Sequence, residues 1–137
     1  APGGCSTQMF KAAVTDTAHA VFQGKIEVAP GAAKSDARQN SRNLLLSERA
    51  VADSKPELII NTDDVMCSHG SATGDLDANQ VFYLRSRGID EAEARAMLVE
   101  AFAADLVDAI PEEPIRGHFR NQLTHWLEAG LEAESSR

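Results

Sequence analysis

Residues 63–89, DDVMCSHGSATGDLDANQVFYLRSRGI, mark a change of hydrophobic period. Before them, short apolar runs alternate with polar turns. After them, apolar residues recur at helical spacing. The chain therefore joins a β part to an α part, with the boundary placed between residues 76 and 77. A length of 137 residues suits one ordinary domain, or the end of a larger one. A core of that size needs no disulfide staples.

The first part reads as strands. Residues 8–14 form a weak candidate. Residues 20–28 (AVFQGKIEV) form a better one: Val21, Gln23, Lys25 and Glu27 alternate with Phe22, Ile26 and Val28. Gly24 interrupts the pattern and predicts a bulge or tight bend. Residues 43–46 (NLLL) and 58–60 are short apolar runs, and 65–69 follow. Turn formers separate them at Pro30-Gly31, Ser35-Asp36, 53–56 and 70–74. Residues 29–42 are small and polar and predict an extended surface loop. No tight hairpin turn and no strict sequence repeat is visible. Short strands with long polar corners favour stacked β-coils over a meander, with a sandwich also open.

The second part reads as three helices. Asp77, with Gln80 three residues on, approximates a capping box, and Gly88 is a natural stop. Asp90 starts the second helix, whose stripe is Ala94, Met97, Leu98, Ala101, Phe102, Leu106 and Ile110; Pro111 ends it. Pro114 suits the first turn of the third, with Ile115, Phe119, Leu123, Trp126 and Leu127 on one face and Gly130 as its close. The tail Ser135-Ser136-Arg137 is expected to fray.

Two cysteines, Cys5 and Cys67, lie far apart and form no CxxC, which predicts a reducing, cytosolic setting. No apolar run is long enough to span a bilayer, and residues 1–5 show no charged-then-apolar signal pattern. The first residue is Ala rather than Met, so a processed chain or a fragment is expected. The net charge of -8 divides as -2 over residues 1–76 and -6 over 77–137. Such acidity disfavours nucleic acid, which needs clustered Lys and Arg. It gives solubility and tolerates a basic protein partner.

Cys67 and His69 stand two residues apart, so in a strand both side chains share a face. Thiolate and imidazole suit zinc, iron or an iron–sulfur centre, but two ligands do not close a site. The plainer reading is a small buried Cys beside a hydrogen-bonded His. Asp63 and Asp64 are adjacent and face opposite sides of a strand, so a β-helical hydrolase built on them is a remote reading beside that of a solvated turn. Cys5 is incidental. His118 and His125 lie seven apart on a helix, not at the i, i+4 spacing useful for metal. The glycine-rich run 70–74 has no P-loop Lys and no GxGxxG spacing, so no nucleotide site is read there.

DDVMCSHG, then GDLDANQVFYLRSRGI, then the helix ending AFAADL, resemble the SufD component family of the SUF iron–sulfur cluster assembly system. The likeness extends back through AVFQGKIEV, DARQNSRNLLLSERA and SKPELII. It covers nearly all of residues 8–110 and is weak over 111–137. The family's Cys-Ser-His-Gly-Ala-Thr departs here to Ser71-Ala72-Thr73 after Gly70. SufB-like chains carry a Cys in the segment matching 48–51 and acidic residues beside the His; Ala50, Ser68 and Gly70 stand here instead.

The resemblance implies a mainly β fold with α: the end of a right-handed parallel β-helix, residues 1–76, followed by a C-terminal helical domain of about three helices, residues 77–137. It implies a noncatalytic, cytoplasmic scaffold subunit rather than an enzyme. The expected partners are a SufB-like paralogue and a SufC-like ATPase, with no nucleic acid and no membrane. A transient iron–sulfur cluster would be shared with the paralogue, none being tightly bound to this chain. His69, then Cys67, are the implied cluster or metal ligands. Phe82, Tyr83, Arg85 and Arg87 are the implied ATPase-docking residues. The family proteins are several times longer than the match, so a cut β-helix is expected to expose open edges. Self-association, as a homodimer of the fragment, or cover by residues 1–10 would follow. A purely structural subunit without a cluster ligand remains the rival reading.

Overall fold

The computed structural model describes residues 2–135, with side chains to Gly130. Five ten-residue strands come first: β1 (Cys5–Val14), β2 (His19–Val28), β3 (Asp36–Leu45), β4 (Val51–Ile60) and β5 (Met66–Asp75). Three helices follow: α1 (Ala78–Ser86), α2 (Glu91–Asp108) and α3 (Glu113–Ser135). A strand unit ends at Asp75 and a helical unit begins at Leu76.

All strand pairs are parallel. Odd strands form one sheet, β1-β3-β5, and even strands another, β2-β4. The chain thus passes from one sheet to the other and returns beside its own earlier strand. Cys5 pairs with Asp36 and Asp36 with Met66, while His19 pairs with Val51. The corners repeat with the strands: Gly3, Lys34 and Asp64 each have a positive φ and each lies two residues before a strand of the odd sheet. The Lys34 amide donates to the Asp64 carbonyl at 2.6 Å, tying one corner to the next. A spatial repeat of about thirty residues exists without a sequence repeat, because what recurs is backbone geometry and inward or outward facing rather than residue identity.

In β2 the inward set is Phe22, Gly24, Ile26 and Val28, which alternates with an exposed set as the sequence predicts. Ile26, Val28 and Ala37 make the apolar core, with Ala32, Leu58, Val65 and Cys67 packed on it. Burying Ile26 and Val28 contributes about 1.5–3 kcal/mol each.

Several expectations are overturned. Residues 29–42 are not one surface loop: Asp36 onward belongs to β3, the central and most buried strand of its sheet. The turns expected at 53–56 and 70–74 lie inside β4 and β5. Pro56 is tolerated because β4 has one neighbouring strand among the described residues, so its missing N–H breaks no inner ladder. Gly24 makes no bulge; β2 pairs with β4 in unbroken register through Gly24 and Pro56.

In the helical unit, the Asp77 carboxylate accepts from the Asn79 amide at 2.8 Å and the Asp90 carboxylate from the Glu93 amide at 3.0 Å. Each satisfies an otherwise orphaned helix N–H. Gly88, at φ 89°, lets the chain leave α1 through the left-handed region. On α2 the most buried residues are Ala94 and Val99, whereas Met97 and Ala101 of the expected stripe are exposed. On α3, Leu123 and Leu127 are half-buried, and Ile115, Phe119 and Trp126 are half-exposed at 49% each. Arg116 donates to the Ile110 carbonyl at 2.7 Å and Arg120 pairs with Asp108, which ties α3 to the end of α2. Gly130 does not close α3; the helix continues to Ser135, since a lone glycine costs a helix only about 1 kcal/mol. The expected fraying at Ser136-Arg137 lies outside the described residues.

Candidate functional site

The inward rows of the odd sheet follow from its register. Ser6, Ala37 and Cys67 form one row; Gln8, Gln39 and His69 the next; Phe10, Ser41 and Ser71 a third; Ala12, Asn43 and Thr73 a fourth. Successive side chains in a row stand one strand spacing apart, about 4.8 Å. Ala37, Gln39, Ser41 and Asn43 are all buried, which fixes the inward face.

The rows differ in chemistry. The Ala37 row meets the apolar core, and Cys67 packs against it half-buried. The last two rows set hydrogen-bonded polar residues beside Ala12 and Phe10, whose ring stacks on Phe22. Ser41 Oγ and Ser54 Oγ lie 2.9 Å apart. Asn43 Nδ2 donates to Ser54 Oγ at 3.2 Å and to Thr73 Oγ1 at 3.1 Å. These bonds join β3 to β4 and to β5, so polar residues fill the interior without leaving their groups unmet.

His69 stands between these two environments. It shares its face with Cys67, as the spacing predicts, yet it is exposed. The reason is its strand: β5 is the last of its sheet, with no strand on its far side among the described residues. An inward-facing imidazole at an open edge can coordinate metal on one side and accept support from its own sheet on the other. Among the described residues no group of three or more His, Cys, Asp and Glu could hold a metal ion. Cys67 and His69 are therefore at most part of a ligand set.

Gln39 was not singled out by the sequence. It is 2% exposed, and its Nε2 donates to Gln8 Oε1 at 2.8 Å. Its own Oε1 is buried and without a hydrogen-bond partner. Such an unmet acceptor costs about 1–3 kcal/mol. Gly24 makes this arrangement possible: a Cβ there would lie 2.2 Å from Gln39 Nε2 and 2.7 Å from Phe22 Cζ. The interruption at Gly24 was the available signal, since a glycine within a strand also marks close approach of another group.

The other residues lie apart. Cys5 is exposed and pairs in register with Asp36, one position off the inward row that carries Cys67. Beside it, two hydrogen bonds from Arg38 to Asp36, and that carboxylate's charge, hold the guanidinium above its ordinary value. Asp63 and Asp64 are both exposed, in the turn before β5. His125 faces Glu128 at 3.4 Å and His118 contacts the Phe119 ring. On α1, Phe82 is 73% exposed and Tyr83 55%. Arg87, just after the helix, donates to the Tyr83 hydroxyl at 2.9 Å and lies over its ring, while Arg85 pairs with Glu91 at 3.0 Å. Tyr83 and Arg87 are thus joined to each other, while Arg85 is held by Glu91. No helix is long and apolar enough to cross a membrane among the described residues.

Over most of its length the chain is similar to known proteins. The family model for the SUF system FeS cluster assembly SufBD core domain matches residues 1–102. The chain belongs to this SufBD family. It is 46% identical over 111 residues to the iron–sulfur cluster assembly protein SufD of Escherichia coli, covering 81% of this chain. An iron–sulfur cluster assembly SufBD family protein of Synechocystis is 44% identical over 119 residues, covering 87%. Protein ABCI7, chloroplastic, of Arabidopsis thaliana is 41% identical over 123 residues, covering 89%. The matched region is 26% of each relative, so the chain spans about a quarter of their length.

Proposed function

We propose that this chain is a noncatalytic scaffold element on which a nascent iron–sulfur cluster is assembled, with His69 as a ligand and Cys67 as a secondary one. One observation carries the reading. The two soft donors share the inward face of β5, at an edge that has no further strand among the described residues. The cluster is cargo, and the remaining ligands come from the chain that covers that edge. A SufB-like paralogue is that chain; a second copy of this one takes its place when the paralogue is missing. The alternating parallel sheets are read as the end of a right-handed β-helix, in line with the strong preference of parallel crossovers for that hand.

The helical unit supplies the second contact. Its patch of Phe82, Tyr83, Arg85 and Arg87 has the aromatic and arginine character of protein-binding hot spots. A SufC-like ATPase docks there and brings the hydrolysis that this chain, without a Walker motif, does not perform. The compartment is the cytoplasm, and neither nucleic acid nor membrane takes part.

Cluster reconstitution in the complex with both partners tests the ligand role. His69→Ala is expected to lower cluster yield about tenfold or more, and Cys67→Ala less. An unchanged yield in His69→Ala rejects the ligand assignment. A second, purely structural reading applies to Cys67 alone, because its side chain packs on Ile26, Val28 and Ala37.

A further inference from the structure

Among the described residues, Gln39 is the buried polar side chain whose hydrogen bonding is incomplete. Its amide is fixed at two points: Nε2 is committed to Gln8 Oε1 at 2.8 Å, and Gly24 leaves the space that the amide occupies. With Nε2 spent, Oε1 is left as a buried acceptor with no donor. Along the same row, on the adjacent strand, the register partner of Gln39 is His69. A neutral imidazole has one N–H donor and one bare nitrogen. A donor and an unmet acceptor therefore belong to neighbouring rungs of one ladder.

We infer that Gln39 is the positioning residue of His69: its Oε1 accepts the imidazole N–H, fixing one tautomer and leaving the other ring nitrogen bare for metal. His69 is exposed, so the rotamer that makes this bond displaces little packing. The bond satisfies Gln39 Oε1, and it gives the ring the outer support that metal-binding histidines generally have. His69 then donates to Gln39 and Gln39 to Gln8, a directional relay that ends on Gln8 Oε1. The inference deepens the ligand reading of His69 and rests on it for its purpose, though not for its test.

The test is ring 15N–1H spectroscopy of the metal-free chain labelled with [15N]histidine, at a pH where the imidazoles are neutral. His69→Asn assigns the His69 signals. The unsubstituted chain is expected to show a single neutral tautomer for His69, with a slowly exchanging ring proton. Gln39→Met, which keeps volume but removes the acceptor, is expected to give a tautomer mixture and fast exchange. Gln39→Glu, which keeps an acceptor, is expected to restore one tautomer. A mixture in the unsubstituted chain overturns the inference, even if the variants fail to fold. So does a single tautomer that persists in folded Gln39→Met. If the tautomer is locked yet His69→Ala leaves cluster yield unchanged, the positioning stands and the ligand reading fails.

Discussion

The two ends of the strand unit's interior obey different rules. At one end Ile26, Val28 and Ala37 exclude water, and Cys67 joins them. At the other, Ser41, Asn43, Ser54 and Thr73 satisfy one another through hydrogen bonds. Both ends are filled, but the second combines its hydrogen bonds with apolar contacts, among them the stacked rings of Phe10 and Phe22. Cys67 and His69, two residues apart, fall on either side of that divide. The same spacing that unites them as proposed ligands therefore separates them as structural residues: Cys67 belongs to the core and His69 does not.

That contrast can be broken by mutation. Ile26→Ala should have the largest effect, lowering stability by about 2–4 kcal/mol through lost burial and a cavity. Urea unfolding would show it as a lower midpoint with little change in slope. Cys67→Ser places a hydroxyl against apolar neighbours and should cost about 1 kcal/mol by the same measurement. In the Gln39→Met background, which removes the acceptor that His69 satisfies, His69→Ala should change stability by less than about 0.5 kcal/mol, since the side chain is exposed. If His69→Ala in that background proved as destabilising as Cys67→Ser, the division of labour would be wrong and His69 would be a packing residue.

The polar end also explains what could be read from the sequence. Phe22, Ile26 and Val28 announce β2 through plain alternation. The central strand announces only its end, through the apolar run at 43–46, because its inward residues Gln39, Ser41 and Asn43 have the composition of a loop. They can be inward only because Gln8, Ser54 and Thr73 stand one strand or one sheet away to meet them, and such partners are distant in sequence. The Cys67-x-His69 pair was legible because a strand's period alone puts both on one face. Gln39 was not, since its relation to His69 exists only through the register of β3 with β5. In the helices, Asp77, Gly88 and Asp90 were readable as local signals. The exact buried face of α2 was not, because Val99 rather than Met97 is buried by tertiary packing.

The most direct test of the central claim is nitrogen hyperfine spectroscopy of the paramagnetic cluster assembled on the complex, with only this chain labelled by [15N]histidine. The account predicts a directly coordinated 15N coupling that disappears in His69→Ala. A cluster with no 15N coupling from this chain, or with one that survives His69→Ala, would contradict it.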